Sequence, residues 1–402
     1  MRIFYAADRS PNASFQSNLW RSNLLLALQS LGHDVVEFQY DLSETFRHLD
    51  KTDPLDLLFI RKNRPKVTSE LLRQLRLRHS ERPFDLFFSY FYDACILPDA
   101  IEEIKSLGIK TVNWYCNSSY QLHLVSEIAP HYDWCFIPEK FRMEDYTRLG
   151  ANPIHVGEAA NPDVYVPLDL PKDYDVTFVG QAYGERPALI NYLLQNGVDV
   201  KVWGYGWSPY IVGTRLKDRL PRVQRIGNVL LKMTTRESRR AVLSKMRRYF
   251  GRPMMQKVIA QPLLAPGIYG GILHDEQMIK IFSRSRINLG FSACGDTHLS
   301  DQRVVQVRLR DFEVPMTGGF YLVEYMEELE QFYEIGKEIA CYRNREELLD
   351  KVRYYLSHDT ERESIRIAGM RRARTEHTWQ KRFENVFLQL GLPRNVQPNR
   401  QS

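Results

Sequence analysis

Arg310-Asp311-Phe312-Glu313, followed by Thr317-Gly318-Gly319-Phe320-Tyr321-Leu322-Val323-Glu324-Tyr325, is the most informative segment of the chain. It sets an acidic residue just before a glycine turn and a short apolar strand, late in a chain that alternates strand-like and helix-like runs. Open parallel sheets grip a nucleotide ribose at such a place. A carboxylate accepts hydrogen bonds from two neighbouring hydroxyls, and glycines let backbone and phosphates approach closely.

Residues 1 to 160 read as a parallel sheet covered by helices, with strands at Arg2 to Ala6, Val35 to Tyr40, Phe84 to Phe91, Lys110 to Cys116 and Trp134 to Pro138. Leu24, Leu28 and Leu31 recur at i, i+4, i+7 and predict a helix that stops at Gly32. The first strand runs into Ala7-Asp8-Arg9-Ser10-Pro11-Asn12 rather than GxGxxG, which argues against an ordinary dinucleotide enzyme. Asn-Pro, Val-Pro and Leu-Pro steps break both periods between Asn161 and Lys172 and mark a domain boundary. A second series follows, with strands at Asp175 to Gly180, Val198 to Trp203, Ile287 to Ser292, Phe320 to Val323 and Glu338 to Tyr342. Phe383, Val386, Phe387 and Leu390 form an amphipathic stripe on a last helix that needs a partner surface.

Composition narrows the class. A chain of 402 residues suits two domains of about 150 to 200 residues each. Apolar residues at 44% and charged residues at 26% are ordinary for a globular protein, so disorder is expected only at the ends. No run of about 18 apolar residues suggests a span, and Met1-Arg2-Ile3-Phe4-Tyr5 reads as a strand rather than a signal peptide, so a cytoplasmic location is expected. Five scattered cysteines without a CxxC pair suggest neither a disulfide framework nor a zinc site. From Ser208 to Pro262 there are 14 Lys/Arg against two acids, more charge than the whole chain's formal +6.

The Arg310 stretch, with Gly336-Lys337-Glu338-Ile339, Arg345-Glu346-Glu347-Leu348, Tyr354-Tyr355-Leu356 and Glu376-His377-Thr378-Trp379, resembles the C-terminal domain of the CgeB-like (spore maturation protein type) glycosyltransferases. A looser likeness runs through Asn113-Trp114-Tyr115, Tyr132-Asp133, Val176-Thr177-Phe178-Val179-Gly180 with Arg186, and Gly204-Tyr205-Gly206-Trp207. The resemblance implies a GT-B fold of two Rossmann-like domains facing a cleft. Residues 1–165 would hold the acceptor, 166–377 a nucleotide-sugar donor, and a helix over about 378–392 would cross back onto the first domain. It implies no resident cofactor or metal, the donor being a UDP-, GDP- or dTDP-sugar.

By the same likeness Glu313 is the ribose ligand, the second acid of a Glu-x7-Glu pattern whose first acid is replaced by Val305 here. Glu324 is a second carboxylate candidate. Arg310, three residues before Glu313, either orients it or meets the diphosphate. Gly318 and Gly319 form a turn that admits phosphates or a plain helix cap. Gly180, Arg186 and Lys280 are the remaining donor-site candidates. For the base that takes the acceptor's proton the candidates are Asp8, Asp93 and His123. Relatives tend to carry an aspartate where this chain has Cys116-Asn117.

The basic segment interleaves apolar residues with its cations, as an insertion does that lies on an anionic membrane or grips an acidic or lipid-linked acceptor. Nucleic-acid binding lacks a supporting motif. The favoured function is sugar transfer from a nucleotide donor to a hydroxyl acceptor in cell-surface glycan or glycolipid synthesis. The alternatives are a catalytically silent nucleotide-sugar-binding morphogenetic protein and a GT-B sugar-nucleotide epimerase.

Overall fold

Each alternating series closes into one parallel sheet. The computed structural model describes residues 1–9, 18–212, 264–295, 297–299 and 303–393; the basic insertion expected over 208–262 lies, beyond residue 212, outside the described residues. The first sheet has β1 (Arg2–Ala6), β2 (Asp34–Glu37), β3 (Leu86–Ser89), β4 (Lys110–Trp114), β5 (Trp134–Ile137) and β6 (Pro153–His155), in the order β2-β1-β3-β4-β5-β6. The second has β7 (Tyr174–Val179), β8 (Val200–Trp203), β9 (Ser285–Gly290), β10 (Tyr321–Glu324) and β11 (Ala340–Tyr342), in the order β11-β10-β9-β7-β8. All named pairings are parallel, with Ile3 opposite Val35 on one side and Leu86 on the other. Parallel strands covered on both faces must be apolar throughout, and Ile3 to Ala6 and Leu86 to Ser89 are buried without a break.

Strand order decides where ligands go. In an open parallel sheet the crevice lies beyond the carboxyl ends of the strands, where the order of winding reverses. In the first sheet the reversal falls between β1 and β3, and in the second between β7 and β9. The loops leaving these four strands begin at Ala7, Tyr90, Gly180 and Phe291.

The last helix, Trp379–Gln389, belongs to the core of the first half: Trp379, Phe383, Val386 and Phe387 are buried there. Thr378 caps it by accepting from the Lys381 amide at 3.1 Å. Trp379 meets Trp114 edge-on at 5.0 Å, and Phe383 meets Phe88 at 5.7 Å. The two chain crossings between the halves lie side by side, Ala160 exchanging backbone hydrogen bonds with His377 and Trp379. No described helix is long and apolar enough to cross a membrane.

Phe383→Ala should therefore destabilise the first half by about 3 to 5 kcal/mol, the usual cost of emptying a buried aromatic site. Urea unfolding measures this. A loss under about 1 kcal/mol would mean that the closing helix is not part of that core.

Candidate functional site

All four loops at the two reversals line one cavity of about 370 Å³. The first half contributes Asp8, Asn18, Trp20, Phe46, Tyr90, Tyr92, Cys116, Asn117, Tyr120 and Glu158, and the second contributes Gly180, Tyr183, Arg186, Phe291, Arg308 and Arg310 among others. A second, more open concavity of about 660 Å³ lies at Arg9, Arg21, Glu37 and Gln39. Both of its arginines are already paired with Glu37, so it offers an incoming anion little uncompensated charge.

The first-half wall is aromatic. Trp20 stacks on Tyr90 at 4.5 Å, and Phe46 meets Tyr92 edge-on at 5.1 Å. The loop carrying Tyr90 and Tyr92 is fixed by Asn113: its Oδ1 accepts from the Phe91 amide at 2.9 Å and its Nδ2 donates to the Phe91 carbonyl at 3.1 Å. This is a physical role for the Asn of the Asn-Trp-Tyr run.

The second-half wall is cationic. Arg186 opens the helix Arg186–Gln195 and is buried. Its Nη atoms donate to the carbonyls of Gln181 at 3.0 Å and Phe291 at 3.1 Å, its plane lies over Tyr183 at 3.8 Å, and its Nε has no described acceptor. Burial brings its pKa down to about 10, so it remains charged at neutral pH. Arg308, partly buried, donates to the carbonyls of Ala293 at 2.8 Å and Ser292 at 3.2 Å, and its Nε is likewise without a described acceptor. Among the described residues neither arginine is ion-paired with a carboxylate, although such pairing is what buried charge ordinarily requires. Arg310 differs, because its guanidinium is paired with Glu313.

The ribose candidate Glu313 is not on the cavity wall. It is 0% exposed, its carboxylate held by Arg310 and by Asn23 Nδ2 at 3.4 Å from the other half. Glu324 is also withdrawn, accepting from the Ser292 amide at 3.2 Å and paired with Arg303. Gly318 and Gly319 are a helix C-cap and not a phosphate turn. Gly318 has φ +71°, and the two amides are spent on the carbonyls of Pro315 and Val314, at a helix end that presents carbonyls rather than N–H groups. Gly180 does line the cavity, yet its amide and that of Ala182 are taken by the carbonyls of Trp203 and Tyr205, so Arg186 is that loop's free contribution. Lys280 is exposed on the outer face of the helix Asp275–Arg284.

Of the base candidates only Asp8 faces the cavity. Asp93 is fully buried, held by Lys51 Nζ at 2.5 Å and by the Ile128 amide at 3.1 Å, which makes it a structural staple. His123 is exposed on the turn Leu122–Leu124, away from the wall. Among the charged wall residues two were missed from the sequence, Arg308 and Glu158, as was the aromatic wall of Trp20, Phe46, Tyr90, Tyr92 and Tyr120. Burial first, then the carboxyls of Glu139 and Asp311, hold Glu158 well above the usual carboxylate range. Burial also pushes Glu139 up to about 7 and Asp311 up to about 6.

Comparison with known proteins bears on the fold. Residues 239–387 match the model of the family described as Glycosyl transferase-like. No curated protein matches the chain in sequence. Among solved structures, sucrose-phosphate synthase from Thermosynechococcus elongatus is 10% identical, with TM-score 0.55 over 97% of this chain and 99% of that one. HepE from Anabaena in complex with UDP-glucose is 9% identical, with TM-score 0.53 over 97% and 99%. AviGT4, a glycosyltransferase involved in avilamycin A biosynthesis, is 12% identical, with TM-score 0.54 over 97% of each chain.

Because Glu313 neutralises Arg310 in the interior, Glu313→Ala should cost about 3 kcal/mol of stability by stranding that guanidinium. Chemical denaturation of wild type and variant checks it, and an unchanged midpoint would show the pair to be dispensable. The two parallel sheets, in a chain matched along nearly its whole length by these solved structures, make this a GT-B fold.

Proposed function

We propose that this protein is a glycosyltransferase that moves a sugar from a nucleotide-sugar donor to a hydroxyl acceptor. One observation carries the reading: Arg186 and Arg308, neither of them ion-paired with a described carboxylate, face a cavity between two parallel sheets at their points of reversal. Such a pair lacks only an anion, and guanidinium geometry suits a diphosphate. The family match and the UDP-glucose in the HepE complex support the same donor class, a UDP-sugar in the first instance.

Sugar transfer asks the protein to hold charge as it develops on the departing diphosphate. Arg186 and Arg308 do so from one wall, with Arg310 as a third cation once it exchanges Glu313 for phosphate. The opposite wall of Trp20, Phe46, Tyr90, Tyr92 and Tyr120 offers flat apolar faces to a ring-bearing acceptor, with Asp8, Asn18 and Asn117 to receive its hydroxyls. This division fits a hexosyl or related transfer to a glycan or lipid-linked acceptor, within the CgeB-like group. The arginines supply the positive charge that a metal ion supplies elsewhere, so the reaction is proposed to run without one. The segment 208–262 is the proposed contact with an anionic membrane at its cytoplasmic face. An epimerase would need a histidine converging on the donor sugar, and among the described residues none lines this cavity.

Arg308→Ala should weaken UDP binding by about 1.5 to 3 kcal/mol, roughly 10- to 150-fold, as loss of a charged hydrogen bond does. Calorimetry against UDP, GDP, dTDP and CMP measures this, and equal affinity in a folded variant would move the diphosphate elsewhere. Treatment with EDTA should leave the transfer rate unchanged. A rate lost to EDTA and restored by a divalent cation would overturn the metal-free scheme.

A further inference from the structure

Glu158 is the one acid on the cavity wall that no motif accounts for. It follows β6, in the Gly157-Glu158-Ala159-Ala160 run just before the chain crosses to the second half. It is 4% exposed, and its Oε2 is buried without a described hydrogen-bond partner. It has no described ion pair, although it lines the same cavity as Arg186 and Arg308. A buried carboxyl oxygen left without a donor is costly to keep, and one that borders a ligand cavity is explained if the ligand completes it.

We propose that Glu158 is the base of the reaction, the group that takes the proton from the acceptor hydroxyl, a role that rests on the glycosyltransferase reading. The acceptor oxygen bonds to the anomeric carbon of the donor sugar as its proton passes to the Glu158 carboxylate. The bond from that carbon to the diphosphate oxygen breaks, and its electron pair leaves on the diphosphate, facing Arg186 and Arg308. Glu158 ends as a neutral carboxylic acid and is reset by losing the proton to solvent when the products leave.

The surroundings suit this task. Glu139 beyond β5 and Asp311 of the helix Arg310–Met316 add like charge, while a hydrogen bond from the Cys116 thiol at the end of β4, and then the Arg308 charge, favour the ionised form. On the outer side Arg382 of the closing helix donates to the Glu158 backbone carbonyl at 3.2 Å and so fixes the segment. Burial and the Glu139 carboxyl together hold the proton on more strongly than in an ordinary glutamate. A carboxylate of that kind is the stronger proton acceptor once ionised, as a base working near neutral pH must be. Activity then requires the deprotonated form and rises with pH through an ascending limb. The limb belongs to the coupled Glu158 and Glu139 pair. Removing Glu139's charge lowers the Glu158 pKa and moves the limb to lower pH.

The test uses the full chain with UDP as binding probe and UDP-glucose turnover, with water or a glycan as acceptor, followed across the neutral pH range. Glu158→Gln should bind UDP as wild type does, lose about 10²- to 10⁴-fold in kcat, and lose the ascending limb. Glu139→Gln should keep turnover and shift the limb to lower pH, while Asp8→Asn should raise the acceptor KM and leave the limb in place. Normal turnover in Glu158→Gln, or a reduced rate with the limb intact, overturns the base assignment and leaves the transferase reading standing. Wild type that binds UDP and shows no pH-dependent turnover also counts against it. Failure of wild type to bind any nucleotide removes the underlying reading and this proposal with it.

Discussion

An uncompensated pair of guanidinium groups is the constraint around which this molecule is arranged. Taking a charge out of water costs several kcal/mol unless a counter-charge or a set of hydrogen bonds replaces the solvent. For Arg186 and Arg308 the replacement is partial: backbone carbonyls of Gln181 and Phe291 accept from Arg186, those of Ser292 and Ala293 accept from Arg308, and no described carboxylate neutralises either. The backbone that supplies those carbonyls is the exit of β9 and the loop after β7. The site is thus written into the order of the second sheet. Glu313, by contrast, neutralises Arg310 inside the protein, and so separates an arginine already satisfied from two that are not.

The halves are joined by more than a linker. Ala160 pairs with the segment that starts the closing helix, Asn23 reaches Glu313, and the Ser119 hydroxyl lies 3.6 Å from the Cys294 sulfur. Glu158 sits beside this junction, close to the first crossing of the chain.

Much of the fold was legible because buried parallel strands are apolar along their whole length. Ten of the strands were read within a few residues of their positions. The edge strand Pro153–His155 was not, being three residues long and starting with a proline, a residue tolerated at a sheet edge and uninformative about it. The helix Pro54–Glu81 was also missed. It buries only a narrow stripe, Ile60, Arg64, Val67, Thr68, Leu71 and Leu75, beneath many charges, so its apolar period is faint. The site was legible in part. Arg186 stood out as the first residue of a helix after a glycine loop. In Arg308-Leu309-Arg310 the sequence does not distinguish the arginine that meets a carboxylate from the one that does not, since that depends on where the helix begins. Glu158 carried a signal that went unused: a glutamate between Gly157 and two alanines implies close packing around a charge.

On the proposed function, a nucleotide diphosphate supplies the counter-charge that Arg186 and Arg308 lack. The most direct measurement is a structure of the protein crystallised with UDP. Diphosphate oxygens are expected within about 3.2 Å of both the Arg186 and the Arg308 guanidinium nitrogens. UDP bound with its phosphates away from both arginines would contradict it.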